Sequence, residues 1–95
     1  MEFEFDLTKS EANKAKHGLD FVQAQELWTV FGVTGPLPFR GEDRWLRVGK
    51  LQSRHWLAVF AKRSGRIRLI SVRRARKGEV KLHDDAERRE HDHQS

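Results

Sequence analysis

The sequence predicts an α+β domain: two N-terminal helices packed on a mainly antiparallel sheet, with a C-terminal helix after the last strand. Three observations carry that expectation. Two helix-start signals, Thr8 and Asp20, each precede a Glu or Gln by three residues. Three apolar runs between Arg44 and Val72 are joined by the short connections Gln52-Ser53 and Arg63-Ser64-Gly65. Positive charge gathers where the last run ends, in Arg73-Arg74-Ala75-Arg76-Lys77.

Met1–Asp6 alternates Phe3 and Phe5 against Glu2, Glu4 and Asp6, the pattern of a short half-buried strand. Thr8 with Glu11 then reads as a capping box, with Leu7 and Ala12 as its hydrophobic staple. Gly18 supplies the stop, and Lys16 and His17 in the last turn complement the helix dipole. A helix over 9–17 follows. At about 100° per residue, Lys9, Asn13, Lys16 and His17 form one polar stripe, with Ala12 and Ala15 beside it facing the core. Such a stripe is either the solvent side of the helix or one wall of a site.

Asp20 and Gln23 repeat the punctuation, with Leu19 and Ala24 as staple. Phe21, Ala24, Leu27 and Trp28 share a face, so the second helix packs inward. Val30–Val33 reads as a brief extended segment. Thr34–Asp43, with Gly35, Pro36, Pro38 and Gly41, reads as a loop.

The strands follow. Arg44–Leu51 and Arg66–Val72 flank His55–Lys62, which is apolar on both faces and therefore reads as the central strand of a sheet covered on both sides. In Arg66–Val72, Ile67, Leu69 and Ser71 alternate against Arg66, Arg68, Ile70 and Val72. A helix is expected to begin near Arg74, with Gly78 weakening it. Leu82–Ser95 is polar, mixed in charge and without an apolar face, which reads as a frayed extension or tail.

Ninety-five residues suffice for one domain with a modest core. With 37% hydrophobic and 35% charged residues, that core depends on Phe3, Phe5, Phe21, Trp28, Phe31, Trp45, Trp56 and Phe60. The absence of cysteine excludes a disulfide scaffold and a zinc ribbon and fits a reducing cytoplasm. No apolar run is long enough for a signal peptide or a membrane span, so a cytoplasmic location without membrane contact is expected.

Net charge is +5, unevenly spread. Residues 1–43 carry four basic and eight acidic side chains, residues 44–81 thirteen basic and one acidic, and residues 82–95 two basic and five acidic. A basic block between acidic ones suits a polyanion, of which nucleic acid is the commonest, or serves simply as a solvated sheet surface.

Nucleophilic catalysis by cysteine is impossible, Ser71 lies in no nucleophile motif, and no phosphate-binding glycine loop occurs. His83-Asp84-Asp85 and His91-Asp92-His93 contain metal-ligating types, but their spacing matches no standard site and a tail rarely fixes ligands, so neither metal nor cofactor is expected. Metal-free RNA cleavage needs a group to take the 2′-hydroxyl proton, a cation for the phosphorane and an acid for the leaving oxygen. Arginines supply the cation, their planar fork matching phosphate oxygens, and His17, His55 and Glu79 are the proton carriers on offer. Each also has a purely structural reading: His17 as a C-terminal helix residue, His55 as a sheet-edge histidine, Glu79 as a partner of Arg73 or Arg76.

Three blocks, in order, resemble a known family. Phe5-Asp6-x-x-Lys9-x-x-x-Asn13-x-x-Lys16-His17-Gly18-x-x-Phe21-x-x-Ala24 is similar to the N-terminal signature of BrnT-type toxins. Arg44-Trp45-Leu46-x-Val48-Gly49, and Ile70-Ser71-Val72-Arg73-Arg74-Ala75 followed by Glu79, are similar to its second half. The resemblance spans roughly residues 3–79. The family's usual aromatic near the end of the last helix is absent, since the chain has no tyrosine.

The resemblance implies a RelE-like fold and a metal-independent endoribonuclease that inhibits translation, the toxin of a type II toxin–antitoxin pair. It implies a cognate BrnA-like antitoxin, a hetero-oligomer with it, and DNA contact through that partner. Residues 1–81 then form the toxin domain and 82–95 a polar tail or helix extension. Motif and charge together select the site residues: Arg73, Arg74, His17, Lys16 and Glu79 for catalysis, with Arg44, Arg68 and Lys9 on RNA phosphates. A non-catalytic nucleic-acid-binding or partner-binding module is the alternative, and a purely structural subunit is a third.

Overall fold

Asp6, two residues before Thr8, starts the first helix in the computed structural model, which describes residues 1–38 and 43–94. The Asp6 carboxylate accepts the Lys9 amide at 3.1 Å, so α1 runs Leu7–His17. Leu7 is exposed and makes no staple. The inward face is also rotated from the expected one: Ser10 and Asn13 are buried, whereas Ala12 and Ala15 are exposed. Tertiary hydrogen bonds set that phase. The Ser10 hydroxyl accepts the Phe21 amide, and Asn13 reaches across to the sheet, whereas burying two methyl groups would contribute little.

Helix α2 (Phe21–Ala24) forms the capping box of Asp20 and Gln23 in full, with bonds of 2.7 and 3.0 Å, and continues as a 3-10 helix, Gln25–Trp28. Phe21, Ala24 and Leu27 are buried by it, as the periodicity requires.

Five strands follow the order β1-β5-β4-β3-β2. They are β1 (Glu2–Glu4), β2 (Gly32–Pro36), β3 (Trp45–Leu51), β4 (Arg54–Arg63) and β5 (Arg66–Arg74). The β3–β4–β5 meander is antiparallel with β4 at the centre, and β1 joins β5 in parallel, which makes the sheet mixed. Part of the predicted loop is strand: Thr34, Gly35 and Pro36 pair with Arg47, Leu46 and Trp45. Pro36 is tolerated there because β2 is an edge. Residues 39–42 of that loop lie outside the described residues.

One sheet face carries Trp56, Ala58 and Phe60 with Ile67, Leu69 and Val72, packed under α1 and α2. Val72 joins this set, rather than Ser71, because a bulge opposite Val59/Phe60 inserts Ile70 and reverses the alternation of β5.

On the other face lies α3, Lys77–Gln94, which packs against β2 and β3. It starts after Arg74 because β5 occupies that residue. The expected tail is thus helical, and it is anchored by a buried polar residue where no apolar stripe exists. His83 is 1% exposed, with its ring centroid 5.3 Å from Phe31 and 4.9 Å from His55.

Candidate active site

Asn13 joins α1 to β5. Its amide nitrogen donates to the carbonyls of Val72, at 2.8 Å, and Leu19, at 2.7 Å, and its oxygen accepts the Val72 amide at 3.1 Å. One turn beyond Asn13, Gly18 ends the helix at φ +91°, a conformation that favours glycine. Two residues beyond Val72, Arg74 leaves the sheet on the same face. His17 and Arg74 therefore both line one cleft of about 540 Å³, with Arg54, Lys14, Gln52 and Trp56.

Each wall has a local cause. The Arg74 guanidinium lies 5.6 Å from the Trp56 ring, its register partner on β4. The Lys14 ammonium is tethered to Gln23 at 2.9 Å. Gln52 and Ser53 turn the β3–β4 hairpin at φ 52° and 68°, left-handed values held by two non-glycine residues, of which Gln52 lines the cleft. Glu26 is the acidic group of the lining, so the cleft is net cationic.

Arg73 points the other way. It is paired in register with Leu57 while Arg74 is paired with Trp56, and successive strand residues face opposite sides. Its guanidinium forms two 2.9 Å bonds to the Glu79 carboxylate, which also accepts the Arg76 amide at 2.7 Å. Glu79 thereby caps α3 and orients Arg73 together. The fork of bonds holds Glu79 below the usual carboxylate range and raises Arg73.

The other residues singled out by sequence are spread around the molecule. Lys16 is exposed and does not line the cleft; Lys9 is exposed at the start of α1. Arg68 lies 3.8 Å from Glu4 on the face away from the cleft. Arg44 is half-buried and donates to the Asp43 carbonyl. The cleft contributions of Arg54, Lys14, Gln52 and Trp56 escaped sequence reading, because nothing in the sequence shows that the tip of one hairpin meets the end of α1.

An imidazole, two guanidiniums and an ammonium around one solvent-open cleft can bind a phosphodiester and move a proton on it. The family model of the ribonuclease toxin BrnT of type II toxin–antitoxin systems matches residues 5–79. The chain belongs to the BrnT family. No curated protein matches it. The BrnT match includes Asn13, His17, Arg73, Arg74 and Glu79 and ends before His83. Membership makes this a ribonuclease toxin at the level of the family, with an antitoxin as its implied partner. No helix among the described residues is long and apolar enough to cross a membrane.

Proposed function

We propose that this BrnT-family chain is an endoribonuclease that cleaves RNA without metal and so inhibits translation in the cytoplasm, until a BrnA-like antitoxin binds it. The observation that carries this reading is that His17 and Arg74 both line one cationic cleft. His17 serves as the proton carrier, Arg74 stabilises charge on the phosphorane, and Arg54 and Lys14 hold flanking phosphates. Trp56 offers its ring at the base of the cleft. Glu79 acts through Arg73 rather than on substrate, and Lys16, Lys9 and Arg44 extend the cationic surface along which RNA approaches, while Arg68 stays beside Glu4 on the opposite sheet face. The toxin domain, RelE-like in architecture, spans residues 1–81, with the rest of α3 as an extension. The antitoxin forms a hetero-oligomer with it and makes the DNA contacts.

Purified protein is expected to cut single-stranded RNA in EDTA, and added antitoxin to stop it. Intact RNA after long incubation with folded protein would reduce the chain to a nucleic-acid-binding or partner-binding module. Salt dependence does not separate the two, since both lose RNA affinity as salt rises.

A further inference from the structure

On the sheet face away from the cleft, His55 of β4 meets His83 and Asp84 of α3. One Asp84 oxygen lies 2.8 Å from His55 Nε2 and 2.9 Å from His83 Nδ1. A ligating atom from each of the three residues falls within 4.8 Å of the others. The His83 side chain is 1% exposed and that of His55 13%, whereas Asp84 is 43% exposed, so the trio is enclosed on the imidazole side and open on the carboxylate side.

Hydrogen bonding within the trio leaves His83 half satisfied. Its Nε2 is buried and has no partner among the described residues. A cation bound at Asp84 Oδ1 would contact His83 through Nδ1 and not through this Nε2. Both histidines already turn a ring nitrogen toward the same carboxylate oxygen. A cation at about 2.0–2.2 Å from each of these three atoms would need only small side-chain rotations. It would displace the protons that now bridge to Asp84.

We propose that His55, His83 and Asp84 form a binding site for a borderline transition-metal cation of the zinc type, which fastens α3 to the sheet. Two imidazoles and one carboxylate suit such a cation, whereas magnesium and calcium prefer all-oxygen shells. Three protein ligands leave a fourth position on the exposed Asp84 side, for water or for a donor from a bound partner. The site lies across the sheet from His17 and Arg74, so it holds structure rather than reacting with RNA, and cleavage in EDTA is compatible with it. The exposed Lys50, register partner of His55, is the nearest strand cation on β3.

The test uses the full chain, stripped with EDTA, dialysed and titrated with zinc by calorimetry. One equivalent is expected to bind, and zinc at 100-fold excess over its Kd is expected to raise the melting temperature by roughly 10 °C. Magnesium at the same concentration should leave it unchanged. His55→Gln, at a partly exposed position, should abolish the shift, as should Asp84→Asn. The double variant His91→Ala/His93→Ala should keep it. Absence of a bound equivalent, an equal response to magnesium, or loss of zinc binding in the His91/His93 variant with retention in His55→Gln would each overturn the proposal.

Discussion

The Asn13 side chain holds the Val72 peptide by both its N–H and its carbonyl, at 3.1 and 2.8 Å. A single amide thus fixes α1 against β5, and with them His17 against Arg74.

Asn13→Ala strands buried groups on Val72 and Leu19 and is expected to cost about 2–4 kcal/mol. Asn13→Asp fares no better, because a carboxylate accepts from the Val72 amide but repels the two carbonyls. Urea denaturation checks both; stability within 0.5 kcal/mol of the parent would show that the clamp is not formed.

Separating Arg73 from Arg74 tests the division between the two faces. Arg74→Ala is expected to lower RNA cleavage about 100-fold with little change in melting temperature. Arg73→Ala is expected to reduce stability and to keep most of the cleavage rate below its melting point. His17→Ala should lose 10²–10⁴-fold, as general acid–base groups do, and flatten the pH–rate profile. Equal activity losses for Arg73→Ala and Arg74→Ala would contradict the face assignment.

The Arg73–Glu79 pair links stability to pH. Glu79 is held below its ordinary value of 4.5, so the folded chain binds its proton less readily than the unfolded one. Its contribution is complete above that ordinary value and disappears as pH falls through the lower folded value. At neutral pH Glu79→Gln is expected to cost about 1–2 kcal/mol. The gap between the two proteins should close on acidification, as read from denaturation midpoints between pH 7 and 3.

Arg47 makes a similar test at the other end of the sheet. Its guanidinium donates to the Leu27 and Val30 carbonyls, both at 2.9 Å, and to Thr34 at 2.8 Å, with burial pulling its pKa down. A Cβ on Gly32 would sit 2.6 Å from its Cζ. Gly32→Ala and Arg47→Lys should each destabilise by about 1–3 kcal/mol, the first by displacing the fork and the second because an ammonium cannot reproduce its geometry. Unchanged midpoints in denaturant would refute that account.

Local signals were legible where local energetics decide. The capping box at Asp20, the stop at Gly18 and the doubly apolar β4 all follow from neighbours within a few residues. Ser10 and Asn13 did not, because polar side chains are placed inward only by backbone groups far along the chain. The bulge at Ile70 was hidden for a related reason: alternation breaks without any glycine or proline to mark it. Helix α3 carries no apolar stripe, and it docks through the contact of His83 with Phe31 and His55, the Asp84–His55 bond and the Glu79 fork on Arg73. In the site, the arginine pair was visible as charge, but which arginine faces His17 depends on strand parity at the very end of β5.

The parallel pairing of β1 with β5 sets an order in time. Glu2 lies opposite Arg66 and bonds to it across 64 residues of chain, whereas the β3–β4 and β4–β5 hairpins close over turns of a few residues. The hairpins can form while the chain ends are still free, and β1 must then find a preformed edge against a larger loop-closure entropy. Refolding should therefore finish with the arrival of Phe3 beside Trp28. That late step should slow in salt, which screens the exposed attraction of Glu2 and Glu4 for Arg66 and Arg68.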